Sequence, residues 1–252
     1  MRSHCLKVGW SQCVVAIVAA FAVTVAAPTA AYASEGEAGL DIEVGGMVGG
    51  NWNYLERPTD PAGSYTFLWG SAFSGFGTLL GATAWLNLVE MDDAAVALSA
   101  DLLYGYHRGA GWASHDEGGQ IDVLFTSHVL RIPLMLRAGT PAGESGLNVG
   151  LGIEPIIGLM STATVETTDV DVPVQAVYTR PRSTMAGVFA VGFDYVTADY
   201  ILPFDARLSW NPFMPSATEE RFYDFDSPDE PGEFGVGFNW QFMVTAGVRV
   251  GL

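Results

Sequence analysis

The chain has 252 residues, of which 49% are hydrophobic and 15% charged, and its formal net charge is −17 at pH 7. Neutralising phosphates takes a basic face, so the charge balance argues against a nucleic-acid partner. The two cysteines, Cys5 and Cys13, lie near the start of the chain, which leaves no thiol beyond them for a disulfide or a metal.

Arg2 and Lys7 precede an apolar run from Val14 to Ala27, and Ala31-Tyr32-Ala33 follows as a small-x-small site. The pattern predicts a secretory signal peptide over residues 1–33, leaving 34–252 as one domain. The apolar run is shorter than the ~20 residues a membrane-crossing helix needs. Neither cysteine follows it at a lipobox-like junction, which argues against a lipid anchor. Losing Arg2 and Lys7 takes the formal charge from −17 to −19, because all 28 acids lie downstream. No second apolar stretch of helix-spanning length follows, so any further crossing of a membrane is made by strands.

Eight alternating segments follow in chain order: 40–54, 74–88, 94–107, 120–137, 146–160, 184–196, 200–211 and 235–252. Period-two alternation is the mark of a strand with two unlike faces. The short links Val89–Asp93, Ala138–Ser145 and Thr197–Asp199 are rich in turn residues. They alternate strictly with longer ones over 55–73, 108–119, 161–183 and 212–234. An even-stranded outer-membrane barrel with both termini on the short-turn side requires that order.

One set of faces is apolar: Ile42, Val44, Val48, Trp52 and Tyr54 in the first segment, then Phe76, Leu80, Leu86 and Leu88, then Val96, Leu98, Leu102, Tyr104 and Tyr106. The fourth segment changes parity, with Ile121, Val123 and Phe125 before Leu130, Ile132, Leu134 and Leu136, which predicts a bulge near His128. Val149, Leu151, Ile153 and Ile157 continue the apolar face. Phe189, Val191, Phe193 and Tyr195 follow, then Phe204, Leu208 and Trp210, then the even positions from Val236 to Leu252. Pro133, Pro155 and Pro203 fall inside segments and need bulges or strand starts, since each lacks a ladder donor.

If the apolar set faces lipid, its aromatics form girdles at the two water boundaries. Trp52, Tyr54, Phe76, Tyr104, Tyr106, Trp210, Phe238 and Trp240 fall near the long-link ends, and Phe193, Tyr195, Tyr200 and Phe204 near the short ones. The opposite face carries Asp41, Glu43, Asp101, Asp122, Glu154, Asp194 and Asp205 with Arg131, Arg137, Arg207 and Arg249. An eight-stranded barrel is just wide enough for its side chains to fill it. These charges are therefore expected to pair into a plug, with a thin polar path as the rival reading.

The stretches His128–Arg137 (HVLRIPLMLR) and Leu147–Gly158 (LNVGLGIEPIIG), with Phe193–Pro212 and the C-terminal strand, resemble the outer membrane protein β-barrel domain family of small porin-like proteins. The resemblance implies an eight-stranded barrel in the outer membrane. It also implies an encounter with barrel-assembly machinery through the last strand, although Leu252 stands where the family usually has an aromatic.

Catalytic combinations are sparse. His107, His115 and His128 remain after the signal, and Ser127-His128 are strand neighbours that point to opposite faces. Ser114-His115 lacks an orienting acid. The acidic stretch Glu219–Phe234, with Asp224, Asp226, Asp229 and Glu230, does not have EF-hand spacing and reads as a solvated loop. No cofactor or metal is expected. The reading is an all-β, eight-stranded antiparallel up-and-down transmembrane barrel with a structural, surface-interaction or narrow small-solute role and no enzyme activity. The alternatives are an outer-membrane lipid-modifying enzyme and a soluble calycin-like barrel, apolar inside and polar outside.

Overall fold

The computed structural model describes residues 41–55, 67–70, 73–115, 120–141, 143–167, 178–181, 183–212 and 233–252. The signal-peptide reading and the acidic cluster from Asp224 to Glu230 lie outside these residues, as do the side chains of Ser114 and His115.

Twelve strands are present among the described residues: β1 (Ile42–Leu55), β2 (Phe67–Gly70), β3 (Phe73–Met91), β4 (Ala94–His115), β5 (Gln120–Arg131), β6 (Leu134–Gly139), β7 (Gly146–Thr167), β8 (Tyr178–Pro181), β9 (Thr184–Val196), β10 (Ile201–Trp210), β11 (Glu233–Val236) and β12 (Trp240–Gly251). Antiparallel pairing joins β1 to β3, β3 to β4, β4 to both β5 and β6, and those two to β7. It continues through β9, β10 and β12 back to β1. The pairings run round in a ring of eight wall positions, with β5 and β6 sharing one.

The break between β5 and β6 falls at Ile132-Pro133, and the ladder bridges it. Asp101 N donates to Pro133 O at 3.0 Å and Ile132 N to Pro155 O at 2.9 Å. Pro133 thus sits where the strand bends, as its missing donor demands. Pro203, near the start of β10, faces Asp194 of β9.

The short links are tight. β3 and β4 meet at an Asp92-Asp93 turn, Gly143 takes a φ of +81° in the second link, and Thr197 N donates to Tyr200 O at 2.9 Å in the third. The second long link differs from expectation. β4 runs on to His115 and β5 begins at Gln120, so most of 108–119 is wall. β2 pairs with β4 at its far end, beyond the reach of β3. The wall therefore rises higher at β4, β5 and β7, with β4 and β7 at 22 residues each, than at β10, which has ten.

The last segment also differs. The unbroken alternation from Gly235 to Leu252 predicts one strand, but the chain breaks at Gly237-Phe238-Asn239. The earlier residues pair in parallel with β8 as a separate two-stranded sheet, and β12 starts only at Trp240.

Apolar side chains cover the outer face: Leu151, Val48, Leu136, Val244, Ile153, Phe189 and Val248 are exposed, while Met135, Arg137, Val188, Ala190, Met243 and Thr245 between or beside them are buried. Arg131, Arg137, Arg207 and Arg249 are among the largest fully buried side chains. The two faces are the reverse of those in a soluble barrel, where apolar groups go inside.

Candidate functional site

The interior is built from odd-numbered residues of β1, β3, β4, β5, β6, β10 and β12 and even-numbered residues of β9 and of the first part of β7. Among the described residues it holds five carboxylates (Glu43, Asp101, Glu154, Asp194, Asp205) against four guanidinium groups, arranged in levels.

Nearest the long-link end of the arginine levels, Arg131 makes a bidentate pair with Glu154, Nε to Oε1 at 2.8 Å and Nη2 to Oε2 at 2.6 Å. Its Nη1 donates to Gln241 Oε1 at 2.8 Å, and Gln241 Nε2 donates to Asn53 Oδ1 at 2.6 Å. Ser209 Oγ donates to Glu154 Oε2. Below this level, Arg137 clasps Asp205 through Nη1 and Nη2, both at 2.8 Å, and Arg207 Nη2 donates to the same carboxylate at 2.7 Å. Arg207 Nη1 also pairs with Asp101, and Arg137 Nη1 donates to Asn148 Oδ1 at 2.7 Å. Forked pairing of this kind fixes direction as well as charge.

Gly192 makes room for this level. A Cβ there would lie 2.3 Å from Asp205 Oδ1 and 2.7 Å from Asn148 Oδ1.

At the short-turn end, Arg249 lies 2.9 Å from Glu43 Oε2 and 2.7 Å from Asp194 Oδ1, close enough for ion pairs but offset from hydrogen-bonding angles. Trp85 is buried between two cations, with the Arg249 guanidinium 3.7 Å and that of Arg137 4.5 Å from its ring. A cavity of about 40 Å³ lies beside Trp85, Arg137 and Arg249, and a larger recess at the mouth is lined by Asp41, Glu43, Glu90, Asp199 and Tyr200.

Above the arginine levels, aromatic side chains gather inside. Phe73 and Phe125 are fully buried with rings 5.3 Å apart, Phe238 packs 5.5 Å from Phe125, and His107 lies 5.9 Å from Phe238. This aromatic cap replaces the outward positions expected for Phe125 and Phe238. All of β5 and β6 from Phe125 to Arg137 keeps one parity, with odd residues buried. The bulge expected near His128 lies across the ladder from it. His128 faces Met160 and Val129 faces Gly158, so the extra residue is Leu159 of β7.

Glu43, Asp101, Arg131, Arg137, Glu154, Asp194, Asp205, Arg207 and Arg249 all meet in this interior. Two of the expected members do not. Asp41 is exposed at the mouth, where Asn87 Nδ2 donates to it at 2.7 Å, and Asp122 has the outward parity of β5. Trp85, Gln241, Asn53 and Ser209 belong to the network without having been singled out as charged candidates; their parity carries the signal.

On the outer face, Trp52, Tyr54, Trp210 and Trp240 occupy neighbouring register positions, and Trp210 stacks on Trp240 at 5.6 Å. Tyr104 and Tyr106 flank His128 at the same end, while Tyr195, Phe204 and Tyr200 are exposed toward the short turns.

No protein-family model matches the sequence, and no curated protein matches it either. Among solved structures, the chain is similar to the outer membrane protein OprG from Pseudomonas aeruginosa, with a TM-score of 0.43 and 10% identity over 86% of this chain and 98% of that one.

Proposed function

We propose that the mature chain is an integral outer-membrane barrel, exported by the signal peptide 1–33, whose role is structural or surface-interacting and whose interior is a plug. The observation that carries this reading is the inversion of the two faces. A continuous apolar exterior of this extent is not stable against water, whereas lipid solvates it and leaves no backbone donor unpaired in a ring of strands. The inner charges are then required to neutralise one another, and each of the four buried arginines has a carboxylate partner. The soluble calycin-like alternative needs the opposite arrangement.

A narrow solute path is the second reading, and the recess at the short-turn mouth favours it. The reading includes no catalytic step. His107 faces the interior beside Phe238 and Gln241, and His128 faces outward beside Tyr104 and Tyr106, so the two histidines share no site.

Cell fractionation with gel mobility before and after boiling tests the location. The protein is expected in the outer-membrane fraction with a heat-modifiable band, and recovery only in the soluble fraction would overturn the reading. Replacing His107, His115 and His128 by alanine is expected to leave the lipid A mass profile unchanged and identical to that of a deletion strain.

A further inference from the structure

The outer face of β4, β5 and the upper part of β7 contains a polar patch. Register places Arg108 opposite Thr126 and Thr126 opposite Thr162 in one row, with Tyr106 opposite His128 and His128 opposite Met160 in the row below. The Thr126 and Thr162 hydroxyls are 2.7 Å apart, and the Tyr104 hydroxyl is hydrogen-bonded to His128 Nδ1. A tyrosine that donates to Nδ1 leaves Nε2 of His128 as a donor. Arg108 is exposed and has no carboxylate partner among the described residues, unlike the four inward arginines.

We propose that Arg108, Thr126, Thr162 and His128 form an external seat for a phosphate-bearing lipid headgroup at the long-link boundary of the apolar belt. The proposal rests on the membrane reading above. Among the described side chains these two rows offer a guanidinium, two hydroxyls and an imidazole and no carboxylate, Asp122 standing two rows above, which is the chemistry that receives an oxyanion. Strand spacing of about 4.8 Å puts Arg108 and Thr162 about 10 Å apart across Thr126, a span that a phosphate and an arginine side chain bridge together. Below the patch the same wall turns apolar, with Leu102, Leu134 and Leu136 exposed, so a lipid whose phosphate sits in the patch lays its chains along that surface. A phosphate free in water has no use for that continuity, which is why a lipid is the occupant.

Native mass spectrometry of the folded full-length mature protein in detergent tests this, with phosphorylated lipid A, its dephosphorylated form and inorganic phosphate as probes. Phosphorylated lipid A is expected to be retained and the dephosphorylated form not. Arg108→Gln is expected to reduce retention about fivefold, the ratio that one arginine near an anionic headgroup supplies, and Thr126→Val with Thr162→Val is expected to reduce it further. Equal retention of both lipids, or no change in Arg108→Gln, overturns the seat. Displacement by millimolar inorganic phosphate overturns the lipid assignment in favour of a free-anion site. Heat-modifiable mobility is read on the same samples. Its presence without selective retention sinks the seat alone, and its absence in the wild type sinks the membrane reading and the seat together.

Discussion

At the scale of single residues, the interior is governed by what happens to a buried charge whose partner is removed. Arg131 and Glu154 are both completely buried, and their forked pair is sealed by Gln241 and Ser209. A buried ion pair contributes little net stability against an apolar pair of the same shape, but an orphaned charge costs about 3–5 kcal/mol. Glu154→Gln is therefore expected to lower the unfolding free energy by about that amount in urea titrations followed by the heat-modifiable band. Joint replacement Arg131→Met and Glu154→Leu is expected to recover most of it; a double variant as unstable as the single one contradicts the ion-pair account. Gly192 supplies a steric counterpart. Its place 2.3 Å from Asp205 Oδ1 means that Gly192→Val pushes the carboxylate out of the Arg137 fork, and a loss of about 1–3 kcal/mol from overpacking is expected. Gly187→Val in the same strand, where a Cβ meets nothing closer than 3.9 Å, is expected to cost much less in the same titration.

Elements raise a different question, which is how a strand keeps its faces. In β7, residues Asn148 and Glu154 are buried, but beyond Leu159 the exposed positions become Thr162 and Thr164, so the strand changes parity at that extra residue. Deleting Leu159 restores a continuous alternation without moving either half to the wrong face, and the variant is expected to fold with a normal heat-modifiable band. Deleting Leu151 instead throws Asn148 and Glu154 onto opposite faces, which a one-residue slip does to every side chain beyond it, and no folded band is expected. The same principle explains what the amino-acid sequence reveals. Where one face is polar and the other apolar, as in β1 and β10, alternation identifies both faces. Where the interior is itself apolar, hydrophobicity no longer distinguishes in from out. Phe125 reads as outward because it is aromatic, although it shares the parity of Ser127 and Arg131 in the same wall position. Phe238 is harder to place, since alternation runs through the break at 237–239 and only the pairing of β11 with β8 removes the first residues from the wall. Asp122 fails in the opposite way: a charge reads as interior, yet at the high end of β5 the wall has outgrown the apolar belt.

For the molecule as a whole, two obstructions lie in series along the barrel axis. The aromatic cap of Phe73, Phe125 and Phe238 lies toward the long-link end, and the arginine levels lie beneath it, above the recess at the short-turn mouth. On the plug reading proposed above, an ion entering from either side meets side chains across the bore, because an eight-stranded wall leaves room for little beyond its own side chains. Purified protein in a planar bilayer is therefore expected to give no unitary current. Obstructions in series also predict how variants behave. Phe238→Ala removes one wall of the cap, at a stability cost of about 3–5 kcal/mol for a large aromatic, yet Arg131 and Glu154 remain buried immediately below. The single variant is expected to stay silent, as is Arg131→Ser with Glu154→Ser, which leaves the cap in place. Current is expected only when the two changes are combined in one protein that still shows a heat-modifiable band. A current from Phe238→Ala alone would mean that the arginine levels do not fill the bore and that the solute-path reading is the better one. A silent combined variant would place a further obstruction at Trp85, where Arg137 and Arg249 hold the ring between them.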